Sequence, residues 1–226
     1  MNDEFKIESE DNDLYYCGGL AYQKDMSQQI EYGKEYYENY LDYDHSPIAD
    51  ELNHLRVKIT EKYCKNPLLD IGIGSGRFIT SSSLKVYGYD INPYSIAWLQ
   101  EREIFIDPYK SVPNVDGWTF WDSLEHFRSP TEILQLISPG NYLFISIPIF
   151  EDIKGVKESK HFKPGEHYYY FTSTGLIKFL KSLNFKYIEH NDLETKLGRQ
   201  DITTFVFRKE HGSFKGNNIK RSSWGR

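Results

Sequence analysis

Cysteine is scarce in this chain: Cys17 and Cys64 are the only two among 226 residues. They form no CxxC pair and no metal-ligand spacing, which excludes a disulfide-stapled scaffold and a cysteine metal centre and fits a reducing compartment. Two inert thiols are expected, and no metal. Long apolar runs are missing as well, since none approaches the ~20 residues that span a bilayer. The acidic opening "MNDEFKIESEDNDLYY" lacks the basic-then-apolar pattern of a signal peptide. A cytoplasmic chain without membrane insertion is therefore expected. An excess of basic residues is also absent: 33 Asp and Glu face 27 Lys and Arg, for a net charge of −6. Lys215, Lys220, Arg221 and Arg226 sit in a Gly- and Ser-rich end that holds no acid, so the body is more acidic than the whole. Such a body argues against a surface that tracks phosphates, and no nucleic-acid partner is expected.

What is present divides the chain into three parts. Residues 1–45 hold eight of the tyrosines and few aliphatic residues, and are read as an N-terminal extension or cover. Residues 46–209 are read as one α/β domain, and residues 210–226 as a basic, flexible tail. "SPIADELNHLRVKITEKYCKN" (46–66) predicts a helix with Ser46 as N-cap and Pro47 at its first position. Beyond it, short apolar runs alternate with helical patterns, as in a parallel sheet with crossover helices. Strands are predicted at 67–72, 85–90, 104–107, 117–122 and 141–149, with a late strand at 202–209 that returns antiparallel at the sheet edge. Helices are predicted after Ser129, where Glu132 completes a capping box, and over 171–185. The fold class expected is a Rossmann-like, doubly wound, mostly parallel seven-stranded sheet with an antiparallel edge strand and helices on both faces.

The stretch "LLDIGIGSGRF" (68–78) leaves Gly72, Gly74 and Gly76 without side chains where a strand meets a helix. In an open α/β sheet this turn lies at the carboxyl ends of the strands, where ligands bind. Glycine there lets main chain approach a ligand closely. A dinucleotide fingerprint needs its third glycine at position 77, which is Arg77, so a ligand without a pyrophosphate suits the spacing better.

These residues resemble the first motif of class I S-adenosylmethionine-dependent methyltransferases, and the resemblance continues in order. "VYGYDINPYSIAWL" is similar to the second motif, and "TFWDSLEHFRSPTEIL" to the segment ending strand four. "ISPGNYLFISIP" resembles a later segment of the same family, and "GEHYYYFTSTGLIKFLKSLNF" resembles a stretch found in the ubiquinone-type and glycan-tailoring O-methyltransferases. The resemblance implies S-adenosylmethionine as cofactor, S-adenosylhomocysteine as product and a small-molecule methyl acceptor. It implies binding of the cofactor by Asp70, Gly72, Gly74, Gly76, Asp90, Ile91, Asp107, Asp122, Ser123 and, from the cover, Tyr37. Asp90 takes the ribose hydroxyls and Asp107 the adenine amine or a plain turn. Tyr36, Tyr37 and Tyr40 either pack over the sulfonium or bury one face of a helix. For a hydroxyl acceptor a general base helps, and His126, His161 and His167 are the candidates. Glu166 braces their loop. Two other readings stay open: a nucleic-acid or modified-nucleotide methyltransferase, disfavoured because "WDSLEH" has no proline pair and neither cysteine follows proline, and a cofactor-binding subunit without activity. Nothing in the sequence specifies an oligomeric state.

Overall fold

A computed structural model describes residues 6–27 and 30–212. In chain order the elements are β1 (Ser9–Glu10), β2 (Leu14–Cys17), β3 (Leu20–Gln23), α1 (Lys34–Tyr43), α2 (Ala49–Tyr63), β4 (Leu68–Ile71), α3 (Arg77–Ser81), β5 (Val86–Tyr89) and α4 (Pro93–Glu101). They continue with β6 (Gly117–Trp121), α5 (Pro130–Leu136), β7 (Tyr142–Pro148), β8 (Tyr169–Phe171), α6 (Ser173–Ser182), β9 (Phe185–Asn191), α7 (Leu193–Lys196) and β10 (Ile202–Lys209). Short 3-10 turns fall at Leu124–His126 and Ile153–Glu158.

The main sheet has the order β5-β4-β6-β7-β10-β9. β5, β4, β6 and β7 run parallel, and β10 runs antiparallel to both its neighbours. Alternation along each strand explains why both faces are covered. Leu69, Phe120, Ile145 and Phe205 pack on one face with Leu134 of α5 and Leu176 and Leu180 of α6. Leu68, Trp121, Phe144 and Val206 face the other way, against Phe78 of α3 with Val57 and Ile59 of α2. The fold is a mixed α/β, Rossmann-like sandwich with helices on both faces.

Four expectations need correction. The sheet has six strands among the described residues, not seven: residues 104–107 contribute one bridge, Gly88 to Phe105, because Asp107-Pro108 turns the chain away. The antiparallel strand β10 lies one place inside the edge. β9, whose exposed Lys186, Tyr187 and His190 hide its strand pattern, forms the rim. Helix α2 begins at Ala49, with Ile48 as N-cap and no capping side chain. Ser129 and Thr172 precede their helices as expected, but only Thr172 accepts a capping bond, from Gly175 N–H at 3.0 Å.

A second sheet, order β1-β2-β3-β8, was not expected from the sequence. Its hairpin turns at Gly18-Gly19, both at positive φ, and buries Leu14, Cys17, Leu20 and Ala21. Thr172 N–H donates to the Gly19 carbonyl at 2.9 Å, which ties the hairpin to the start of α6. The tail beyond residue 212 lies outside the described residues.

Candidate functional site

The glycine turn after β4 is held from several sides. Gly72, Gly74 and Gly76 all have positive φ, at 76°, 56° and 82°, where a Cβ is strained. Ser95 of α4 donates to the Gly74 carbonyl at 3.1 Å, and Ser123 donates to the Ile71 carbonyl at 2.6 Å. Two adjoining cavities, about 280 and 390 Å3, meet over this turn and share Tyr36, Tyr40, Gly72, Gly74, Asp122 and His126. Cavities of this size suit a small organic molecule.

The first cavity is bordered by Asp90, Ile91, Ser123 and Tyr37 among others. Asp90 leaves the end of β5 and accepts from Asn92 N–H at 2.8 Å. Burial raises its pKa, against the backbone amides of Asn92, Ile91, Ile73 and Gly74 that face the carboxylate. One acid therefore knits the second turn to the glycine turn while bordering the cavity. Ile91 is 55% exposed and presents an apolar face there. Asn92 caps α4 through Tyr94 N–H, and its amide donates to the Gly33 carbonyl at 3.1 Å. That contact and the Tyr37–Tyr94 stack, 6.0 Å between centroids, dock α1 on α4.

The second cavity reaches Asp70, Arg56, Glu125, His161, His167 and Glu166. Asp70 is buried and accepts from Thr119 Oγ1 at 2.6 Å. Burial pushes its carboxyl up to about 7, with the Thr119 bond and Arg56 opposing. Asp122 sits at positive φ and pairs with Arg56 at 2.9 Å and Arg199 at 3.0 Å. Burial alone works to raise its pKa, but Arg199 and Arg56 win and hold it at about 2. Its carboxylate is already spoken for by two cations, which differs from the expected role as a plain cofactor ligand.

His126 borders both cavities. Burial lowers its pKa to about 4, so the ring is neutral at physiological pH. Tyr32 Oη lies 3.4 Å from its Nδ1. His167 stands edge-on to it, with ring centroids 4.7 Å apart, and burial, helped by His126 and Lys163, lowers its pKa to about 2. His161 turns its Nε2 to the Gln200 carbonyl at 2.9 Å, so that nitrogen is committed as a donor. The three histidines do converge around one cavity, but His126 and His167 meet through their rings while His161 meets His167 through its backbone carbonyl.

Two predicted cofactor residues are not brought to the cavities. Gly76 is packed by α4: a Cβ there would stand 2.6 Å from Trp98, so this glycine serves close packing. Asp107 accepts from Tyr109 N–H at 3.0 Å and pairs with Lys110 at 2.9 Å, the behaviour of a turn acid. Sequence reasoning missed the Arg56–Glu194 pair, 2.9 Å and buried on both sides. Its signal was there to read: Arg56 falls four residues after Leu52, on the apolar stripe of α2.

Residues 37–190 match the family described as Methyltransferase domain. No curated protein matches the chain. Among solved structures it is similar to an S-adenosylmethionine-dependent methyltransferase from Archaeoglobus fulgidus, at 20% identity over 78% of this chain and 100% of that one, with a TM-score of 0.54. A counterpart from Aquifex aeolicus aligns at 15% identity, covering 76% and 97%, TM-score 0.55. The cyclase SpnF aligns at 16% identity, covering 73% and 82%, TM-score 0.52. Together they show the class I S-adenosylmethionine-dependent methyltransferase fold.

Proposed function

This chain belongs to the methyltransferase-domain family, and from that premise we propose that it transfers a methyl group from S-adenosylmethionine to a hydroxyl of a small molecule. The observation that carries the reading is Asp90: a carboxylate at the end of β5, bordering a cavity whose floor is the glycine turn. A carboxylate accepts from two neighbouring hydroxyls, as a ribose offers. Ile91 supplies an apolar surface for the adenine, and the turn at Gly72 and Gly74, packed on its Cβ side by Ser123 and Tyr40, borders the space for the rest of the cofactor. When bound, the cofactor supplies an electrophilic sulfonium methyl.

The residues around it then have to align the acceptor and exclude water. Tyr36 and Tyr40 border both cavities, and their hydroxyls meet at 3.2 Å. Their aromatic faces favour a cation, which supports a role for α1, within the tyrosine-rich N-terminal region, as a cover over the sulfonium. The acceptor belongs in the second cavity, where the neutral His126 ring offers a lone pair beside the glycine turn. We assign the chain to the ubiquinone-type or glycan-tailoring subgroup on "GEHYYYFTSTGLIKFLKSLNF", which builds β8 and the capped helix α6. A cytoplasmic site of action is supported by two free, buried cysteines; among the described residues no helix is long and apolar enough to cross a membrane.

A second reading is kept because the cyclase SpnF has the same fold: a cofactor-bound chain that transfers no methyl group. Purified protein with methyl-labelled S-adenosylmethionine and a cell extract decides. Label in small metabolites is the expected result. Label in RNA or DNA, or tight cofactor binding with no label transferred, overturns it.

A further inference from the structure

Glu125, His126 and His167 come from two segments pinned together. Glu125 and His126 lie in the 3-10 turn after β6, and His167 lies just ahead of β8. Tyr168 N–H donates to the Glu125 carbonyl at 2.8 Å, fixing one segment against the other. One oxygen of Glu125 and one nitrogen of each ring all lie within 4.8 Å of one another. Glu125 Oε1 stands 4.0 Å from His126 Nε2. Two ligands on a tetrahedral ion are about 3.4 Å apart, so modest side-chain rotations close the gap.

Three features make this more than a chance meeting of polar groups. Glu125 is 2% exposed, and its Oε2 has no hydrogen-bond partner, a costly arrangement for a carboxyl group. His167 Nδ1 faces the His161 carbonyl at 3.0 Å. A carbonyl only accepts, so Nδ1 carries the proton and Nε2 keeps its lone pair. A metal-ligating histidine is oriented in the same way, by a backbone carbonyl behind it. Finally, all three side chains border the second cavity, so an ion among them has coordination positions open to a small molecule.

We propose that Glu125, His126 and His167 bind a divalent transition-metal ion, whose open positions take an oxygen of the methyl acceptor. Two imidazoles and one carboxylate suit Mn2+, Fe2+, Co2+ or Zn2+ better than Mg2+ or Ca2+. Coordination lowers the pKa of the acceptor hydroxyl. Its proton leaves to water, the oxygen forms its bond to the methyl carbon, and the carbon–sulfur bond breaks with its electron pair remaining on sulfur. In this arrangement His126 is a metal ligand and the ion takes the place of the general base. The role of the ion in transfer rests on the function proposed above; the binding of the ion does not.

Tag-free protein titrated with Co2+ and followed by visible absorption tests the site without any substrate. One ion per chain is expected, with binding weakened at least tenfold in Glu125→Gln and His126→Ala and unchanged in His54→Ala, an exposed position on α2. Circular dichroism of each variant checks that it folds, and Glu125→Gln keeps the size of the buried side chain. Absence of saturable binding, or equal binding in all variants, overturns the proposal. Calorimetry with S-adenosylmethionine on metal-free protein separates the two accounts: cofactor binding without Co2+ binding removes the metal site alone, and the reverse removes the methyltransferase reading alone.

Discussion

The ring of Tyr40 lies against Gly74, with Cδ1 3.0 Å from the point where a Cβ would stand on that residue. Cover and glycine turn therefore fit each other directly, although thirty-four positions separate them. Gly74→Val combines a strained φ of 56° with a collision against that ring. S-adenosylmethionine affinity is expected to fall at least tenfold by calorimetry. An unchanged affinity means the turn is not part of the cofactor site.

Tyr40 itself gives a finer test. If its face stabilises a sulfonium, Tyr40→Phe keeps most of the affinity and Tyr40→Ala loses about 0.5–2 kcal/mol, or roughly 2- to 30-fold. S-Adenosylhomocysteine is uncharged at sulfur, so its affinity should drop less. Equal losses for both ligands point to packing alone.

Arg56 is 9% exposed and lies between Glu194 and Asp122, while Glu194 is 1% exposed. Arg199 also pairs with Glu194 and Asp122, so removing Arg56 leaves one cation between two acids, at a cost below the about 3–5 kcal/mol of a fully stranded buried charge. Arg56→Met is expected to lose about 1–3 kcal/mol in urea melts, and adding Glu194→Gln, which leaves Arg199 paired one-to-one with Asp122, should recover part of it. A loss below 1 kcal/mol contradicts the assignment.

Asp70 makes stability depend on pH. Its pKa of about 7 in the folded chain lies above the unfolded value of about 3.9, so between them the folded state binds more protons. Stability conferred by this group is full below about pH 4, falls as pH rises, and levels off above about 7. The charged groups bearing on it are Arg56 and Asp90. Asp70→Asn keeps an acceptor for Thr119 and does not titrate. Its stability relative to the native chain should increase between pH 4.5 and 7.5, by about 1.4 kcal/mol at most for each pH unit. A constant difference across that window refutes the account.

Much of the fold was legible because β4, β6 and β7 are short, nearly continuous apolar runs, the mark of strands covered on both faces. β9 was not, since "FKYIEHN" at a sheet rim has polar residues on positions that face solvent. The N-terminal hairpin escaped for a different reason: its strands are four residues long each, and their buried positions, Leu14, Tyr16, Cys17, Leu20, Ala21 and Gln23, show no clean alternation. At the site, Asp90 and the first two glycines could be found because one spacing encodes both the turn and the acid. Gly76 shows the limit of that logic. All three glycines are packed on the Cβ side, by Ser123, Tyr40 and Trp98 in turn, yet only Gly72 and Gly74 border the cavities. Asp107 shows another, because only the bend at Pro108 decides whether a strand-end acid faces the cavity. Glu125 was passed over inside "LEH": burial without a partner is a property of the folded chain, and no local pattern reports it.

Calorimetric titration of the native chain and of Asp90→Ala with S-adenosylmethionine tests the central claim most directly. The account predicts saturable binding of one cofactor per native chain and at least tenfold weaker binding in a folded variant. No heat of binding to the native chain, or the same affinity in both, contradicts it.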